Sequence, residues 1–282
     1  INADNAVGSA TIESQTAIVA PNGIRATVGT GATITTSGGG TINSNAVGTG
    51  TGIFSTSSGS GNVNVAVGAA IGGSTRGATG VNASTTGTGT VTISTTAAIT
   101  ANTGIVASSG AATGNSINVG ALVNAANGGG VAGILVQSAG FTTTVERNVS
   151  VQGPSVSANP ANAGIVNVGN ASVVNNGTIS GAFGVTYQNG GSYFGAGRSE
   201  PAANDFSRIS SGGTAIDMVG GAAGGPANSI VHNGLIFGRI HVNSAADTTI
   251  SLLSTLFGNV EVEGTGTRTT TISGSMIGNY TD

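Results

Sequence analysis

The chain has 282 residues, 38% hydrophobic and only 6% charged, with seven Lys plus Arg against ten Asp plus Glu and a formal net charge of −3. That is too apolar for a charge-swollen disordered segment. Seven scattered arginines and no lysine cannot supply the clustered cations that a phosphate backbone needs, and the absence of cysteine excludes disulfides and thiolate-bound metals.

Glycine is the outlier at 51 residues. There is no collagen-like triplet, so these glycines are expected at turns and corners. No apolar run approaches the roughly 18 residues of a membrane helix. The chain starts at Ile1 without a signal peptide, which is the expectation for a processed or excised segment of a longer precursor.

Along the chain one phrase recurs: Gly, then Ile or Val, then a small extended run. It reads GIRAT at Gly23, GIFST at Gly52, GVNAS at Gly80, GIVAS at Gly104, GILVQ at Gly133, GIVNV at Gly164 and GVTYQ at Gly184, with a degenerate TAIDM at Thr214. The steps between these glycines are 29, 28, 24, 29, 31 and 20. Helical-pair repeats hold their length nearly constant, whereas stacked β-coils tolerate corner loops of any length. Between the phrases lie short alternating runs, NVNVAV (Asn62 to Val67), TVTI (Thr90 to Ile93), SINV (Ser116 to Val119) and NVSV (Asn148 to Val151). Period-two alternation of β-branched residues predicts strands, and no window supports a helix.

The stretch Tyr187 to Arg208, YQNGGSYFGAGRSEPAANDFSR, lacks this alternation and predicts a long projecting corner loop. Beyond it three phrases, LIFGRI, TLFGNV and SMIGNY, place Gly238, Gly258 and Gly278 at a fixed step of 20. The pattern predicts one angular position on successive coils, with apolar residues inward and a glycine turning the corner. Together these elements predict an all-β, right-handed parallel β-helix (a β-solenoid) forming one domain over residues 1–282. Long, nearly uncharged coils would fill 1–186, the projecting loop 187–208, and tighter coils of about 20 residues 209–282. Eleven or twelve coils stacked about 4.8 Å apart would span on the order of 55 Å, with inward Val and Ile in continuous columns.

The Gly-Ile phrases, NNGTISGAFG (Asn175 to Gly184), and the set NSIVHNGLIFGRI, TTISLLSTLFGNV and TTTISGSMIGNY resemble the passenger domains of Gram-negative autotransporters and, more loosely, the secreted arms of two-partner systems. The resemblance covers nearly the whole chain and is one of repeat style, not of a catalytic signature. It implies a right-handed β-helix, export, and a surface or extracellular location. The family's translocator is a C-terminal membrane barrel, so the implied membrane contact is through a translocator outside this segment.

Candidate contact residues lie in the predicted loop: Tyr187, Tyr193, Phe194, Arg198, Phe206 and Arg208. Exposed aromatics beside Arg favour a protein or glycan partner. The alternative is that Tyr193, Phe194 and Phe206 fold back onto the loop's own small core. His232, His241 and Asp247 can be drawn as a hydrolase triad, but no Ser has a nucleophile's context, and the alternation of IVHNG places His232 on the outer face. Glu261 and Glu263, two apart on a strand, would point the same way, either as a glycosidase pair or as a solvated face. Calcium repeats are absent, and Thr-x-Thr pairs do not recur at the coil step, so no ice-binding face is expected. No cofactor, metal or nucleic acid is expected. The sequence therefore points to a non-enzymatic cell-surface or extracellular stalk that presents loops for adhesion. Its partners would be other copies of itself, or a host or neighbour-cell protein or glycan. The alternative is a filament subunit adding end to end by strand augmentation, and a third reading is a polysaccharide-cleaving enzyme.

Overall fold

The computed structural model describes the chain except residues 6, 21, 44–49, 73–76, 127–129, 155–161 and 196–206. The described residues are all-β, without helix, and every strand pairing among them is parallel. The strands form a sheet of 11 and a sheet of 19, the latter being two rows joined wherever one long strand runs through both. Ile99–Ser108 is such a strand, pairing at Ile99 with Ile71 and at Ile105 with Ile134.

Each pass of the chain visits the three rows in the same order. The first pass places Asn2–Asn5 in one row, Ser9–Ser14 in the second and Ile18–Val19 in the third. The second pass repeats this with Ile24–Val28, Gly31–Thr36 and Thr41–Asn43. Register keeps like residues in file. In the first row the inward file runs Ile24, Ile53, Val81, Ile105, Ile134, Ile165, Val185, Ile216, Ile240, Val260 and Tyr280. In the second it runs Ile12, Ile34, Val65, Ile93, Ile117, Thr143, Val173, Tyr193, Ile230, Ile250 and Thr270. In the third it runs Ile18, Ile42, Ile71, Ile99, Val123, Val151, Ile179, Ile209, Ile236, Leu256 and Met276. Nearly all these apolar members belong to one continuous buried cluster. Each fully buried Val or Ile contributes about 1.5–3 kcal/mol.

The glycines do two different jobs. Gly238, Gly258 and Gly278 have φ of +119°, +152° and +157°, as expected of corners. The glycines of the Gly-Ile phrases do not turn the chain. Gly52, Gly80, Gly104, Gly133, Gly164 and Gly184 lie inside strands, and none is among the positive-φ residues. They stand in file because the backbone of the next pass lies against them. A Cβ on Gly52 would sit 2.7 Å from the Gly80 carbonyl oxygen, one on Gly80 2.6 Å from that of Gly104, and one on Gly133 2.7 Å from that of Gly164. The same Cβ would strike the branched methyl of the third-row residue: Ile71 for Gly52 and Ile99 for Gly80.

Three expectations are corrected. The segment from Tyr187 is not a projecting loop as far as it is described. Tyr187 closes the strand Thr178–Tyr187, Gly191–Gly195 is a rung of the second row, and Ser207–Val219 begins before Arg208. The alternation is hidden because Gly191 and Gly195 occupy inward positions where Val would reveal the pattern. His232 is inward, not outward: Ile230 and His232 both face the core, and His232 is 1% exposed. The run NVSV is a strand only from Ser150, since Asn148 holds φ at 60° in a turn.

The outer side of the second row also repeats, although its members stand at no fixed step along the chain. The file Thr11, Thr33, Asn64, Thr92, Ser116, Thr142, Ser172, Ser192, Ser229, Thr249 and Thr269 carries a hydroxyl or amide at every rung. Ser172 and Ser192 touch through their hydroxyls at 2.7 Å.

Replacing Gly80 by Ala is expected to lower the melting temperature at a cost of about 1–3 kcal/mol, because the clash is with backbone that cannot swing aside. Gly39→Ala, where an added Cβ meets nothing within 4 Å, should be neutral. Thermal melts followed by circular dichroism distinguish the two, and equal melting points would remove the close-approach explanation.

Candidate functional site

In a nearly uncharged molecule, the described ionisable side chains concentrate on the outer side of the first row at its C-terminal end. The outward file there runs Thr186, Asp217, His241, Glu261 and Thr281. Parallel register brings together residues far apart in sequence. His241 Nδ1 lies 2.6 Å from Asp217 Oδ1. Arg239 donates to Glu261 at 2.9 Å through Nη1 and to the Thr214 hydroxyl at 3.1 Å through Nη2. One position further along the sheet, Asn243 Nδ2 donates to Glu263 at 3.2 Å.

Two bulges shape this region. The pairing of Ser207–Val219 with Gly234–Asn243 slips between Ser210 and Thr214 and again between Thr214 and Ile216. The extra residues let Thr214 oppose Arg239, whose guanidinium then spans Thr214 and Glu261. Beyond the strand ends Val219, Gly220, Gly221, Asn243, Ser244, Ala245, Gly264 and Thr265 line an open groove of about 520 Å³. Gly220, Gly221 and Gly264 all hold positive φ, which keeps its floor free of side chains.

The electrostatics follow from the geometry. The hydrogen bond to Asp217 raises the His241 pKa above its ordinary value, while partial burial pulls the other way. A raised imidazole pKa means the folded chain holds its proton more tightly than the unfolded one. This pair therefore contributes stability that is fully present below about pH 6.5 and is lost as pH rises through the folded value. The Arg239–Glu261 pair is too exposed, at 43% and 28%, to add much.

The sequence candidates scatter. Tyr187 and Tyr193 do come together, but inside the stack, at 0% and 1% exposure. The Tyr187 hydroxyl donates to the Ser192 carbonyl at 2.8 Å, and Asn175 Nδ2 donates to the Tyr193 hydroxyl at 3.2 Å. Neither ring can meet a partner from there, so they are corrected from contact residues to core. Burial raises both phenol pKa values. Phe194 is 48% exposed on the outer side of the second row. Arg208 lies on the outer side of the third row, its guanidinium 4.9 Å from the Phe237 ring centroid. Phe237 stacks on Phe257 at 4.9 Å with the planes 4° apart, and Ile277, 63% exposed, continues the file. Phe194 and Arg208 therefore belong to different faces. Arg198 and Phe206 lie outside the described residues.

The imagined triad does not assemble as drawn, since His241 pairs with Asp217 and Asp247 accepts from the Thr267 amide at 2.9 Å. Glu261 and Glu263 do share one side of their strand, engaged by Arg239 and Asn243 respectively. Sequence reasoning misses the Asp217–His241 pair because its members are 24 residues apart, a separation meaningful only once the register is known. Among the described residues no group of His, Cys, Asp and Glu is arranged to hold a metal ion. No protein-family model, curated protein or solved structure matches this chain.

Asp217→Asn should bring the His241 titration midpoint, followed by NMR of its ring protons, down toward the ordinary value near 6.5. An unchanged midpoint would show that Asp217 does not hold the imidazole.

Proposed function

We propose that the chain is a right-handed parallel β-solenoid, exported to the cell surface or beyond. In this reading it works without catalysis, as a stiff rod whose outer side chains mediate adhesion or self-association. The observation that carries this reading is the set of three inward files, followed from the first pass to the last. A structure whose core is one long column spends its sequence on length and on repeated outer faces, which suits presentation more than enclosure of a small substrate. The resemblance to autotransporter passengers and the scarcity of charge support the same reading, since weakly charged rods repel one another little.

The contact surface this reading favours is the outer third row at Arg208, Phe237, Phe257 and Ile277, with Phe194 as a separate point on the second row. Aromatic residues and Arg are both enriched at the centre of protein contacts, and here an Arg lies over a stack of aromatic rings. A filament built end to end is a second reading.

Electron microscopy of the purified chain should show single rods on the order of 50 Å long, eleven passes at about 4.8 Å each, whereas regular fibres would support the filament. Phe257→Ala combined with Arg208→Ala should reduce attachment to a cell layer at least severalfold, with circular dichroism unchanged. Attachment equal to the parent chain would eliminate this face as the contact surface.

A further inference from the structure

The second-row core file that contains His232 reads Ser14, Thr36, Val67, Thr95, Val119, Val145, Asn175, Gly195, His232, Leu252 and Ile272. An imidazole thus sits where neighbouring passes place small or branched aliphatic residues. Its Nδ1 is 3.3 Å from the Tyr193 hydroxyl, and the two rings stack at 5.8 Å with the planes 28° apart. Its Nε2 is buried without a hydrogen-bond partner, and so is the nearby Ser207 hydroxyl. Both atoms are close to Gly234: a Cβ there would lie 2.5 Å from Ser207 Oγ and 3.1 Å from His232 Nε2. On the other side a Cβ on Gly195 would run into the imidazole itself. The two glycines make the ring's space, and among the described residues no acidic side chain lies there to balance a positive charge.

The groups facing the ring can be taken element by element. Strand Gly191–Gly195 offers Tyr193, Ala171–Asn175 offers the neutral Asn175, Thr248–Leu252 offers Leu252, and Ser207–Val219 offers the Ser207 hydroxyl. The adjacent Arg208 points outward over Phe237. The Leu235 backbone favours the protonated ring against the larger effect of burial, and no charged side chain among the described residues acts on the ring.

We propose that His232 and Tyr193 form an acid-sensitive latch, so that protonation of the imidazole drives it out of the core and opens the rungs Gly191–Gly195 and Asn228–His232 while the other passes stay closed. Burial holds the His232 pKa down at about 4, against an ordinary 6.5. The open state therefore binds the proton more readily than the closed one. The latch's closed state is fully favoured above about pH 6.5 and weakens as pH falls toward 4. The opened rungs would release Tyr193 from the core and, with it, the strand that carries the exposed Phe194.

Hydrogen exchange of the intact chain, corrected for intrinsic rates and read by mass spectrometry at pH 7 and pH 4, tests this directly. Protection over 191–195 and 228–232 should fall about a hundredfold at pH 4, the factor that a shift from 6.5 to about 4 supplies. Protection over Val63–Val67 and Val91–Thr95 should hold. His232→Leu, which copies the next residue in the file, and the non-titrating His232→Gln should both abolish the local loss. The molecule has no Trp and only three Tyr, so tyrosine absorbance gives a second readout as Tyr193 meets water. Equal protection of all rungs at both pH values would overturn the latch, as would a simultaneous loss across all rungs. An undiminished loss in either folded variant would do the same. If neither variant folds, the parent chain's comparison of rungs still decides.

Discussion

The structure depends on how closely one pass of backbone can lie against the next where the third row hands over to the first. At that handover the chain enters a new rung, and a branched side chain from the third row occupies the space just inside it. The only residue that fits between the next pass and that methyl group is one without a Cβ, so glycine recurs while everything around it drifts. The glycine is followed by the inward Ile or Val because the strand alternates from a fixed point. The first-row file is thus set by a steric limit and filled by the hydrophobic effect. The two constraints are separable: one fixes where the rung begins, the other selects the branched residues that line its inner side.

That arrangement changes character along the molecule. The file of strand glycines ends at Gly184, because the next pass has Ala215 in its place. Immediately there the sheet becomes irregular, with bulges on both sides of Thr214. Beyond this point Gly238, Gly258 and Gly278, held at positive φ, take over as the device that resets each pass, and the pass length settles at 20 residues, as in Asn228 pairing with Thr248 and Thr248 with Arg268. The ladder of Asp217, His241 and Glu261 begins at the same place. A bulge re-aims side chains and relaxes the need for uniform neighbours, so a single irregular pass both ends one repeat style and makes room for polar chemistry on the outer face.

The rows are legible in the sequence to the extent that inward positions carry branched residues. Ile53, Val81, Ile105 and Ile134 mark themselves, and the three corner glycines give a register before any coordinates. Legibility fails where an inward position is taken by glycine or by a polar ring. Gly191, Tyr193 and Gly195 break the visible alternation without breaking the strand, and pattern alone puts His232 on the wrong face because imidazole is ordinarily an outer residue. Contacts on the outer faces are beyond reach for a different reason. Asp217 meets His241, and Arg208 meets Phe237, through the pairing of passes whose lengths vary with their corners. Only the register, which depends on every intervening loop, says which residues become neighbours.

A stack of this kind divides its labour between inside and outside. The inner files are nearly interchangeable rung by rung, so their sequence reports stability and carries little information about partners. Departures from the file are therefore informative in proportion to what they cost. Burying an imidazole and two phenols among Val and Ile sacrifices apolar packing and leaves the imidazole Nε2 unpaired, on the pass where the strand glycine gives way and on the one before it. On the outside the cost runs the other way: a hydroxyl or amide at every rung is easily solvated, while exposed Phe194, Phe257 and Ile277 give up burial that the fold does not require of them. Unpaired buried polar atoms and exposed apolar side chains also occur earlier, as at Ser55, Asn167, Val7 and Val19, but the buried rings and the Arg-aromatic stack fall together between residues 187 and 277, in the part of the chain where the repeat is least like its beginning.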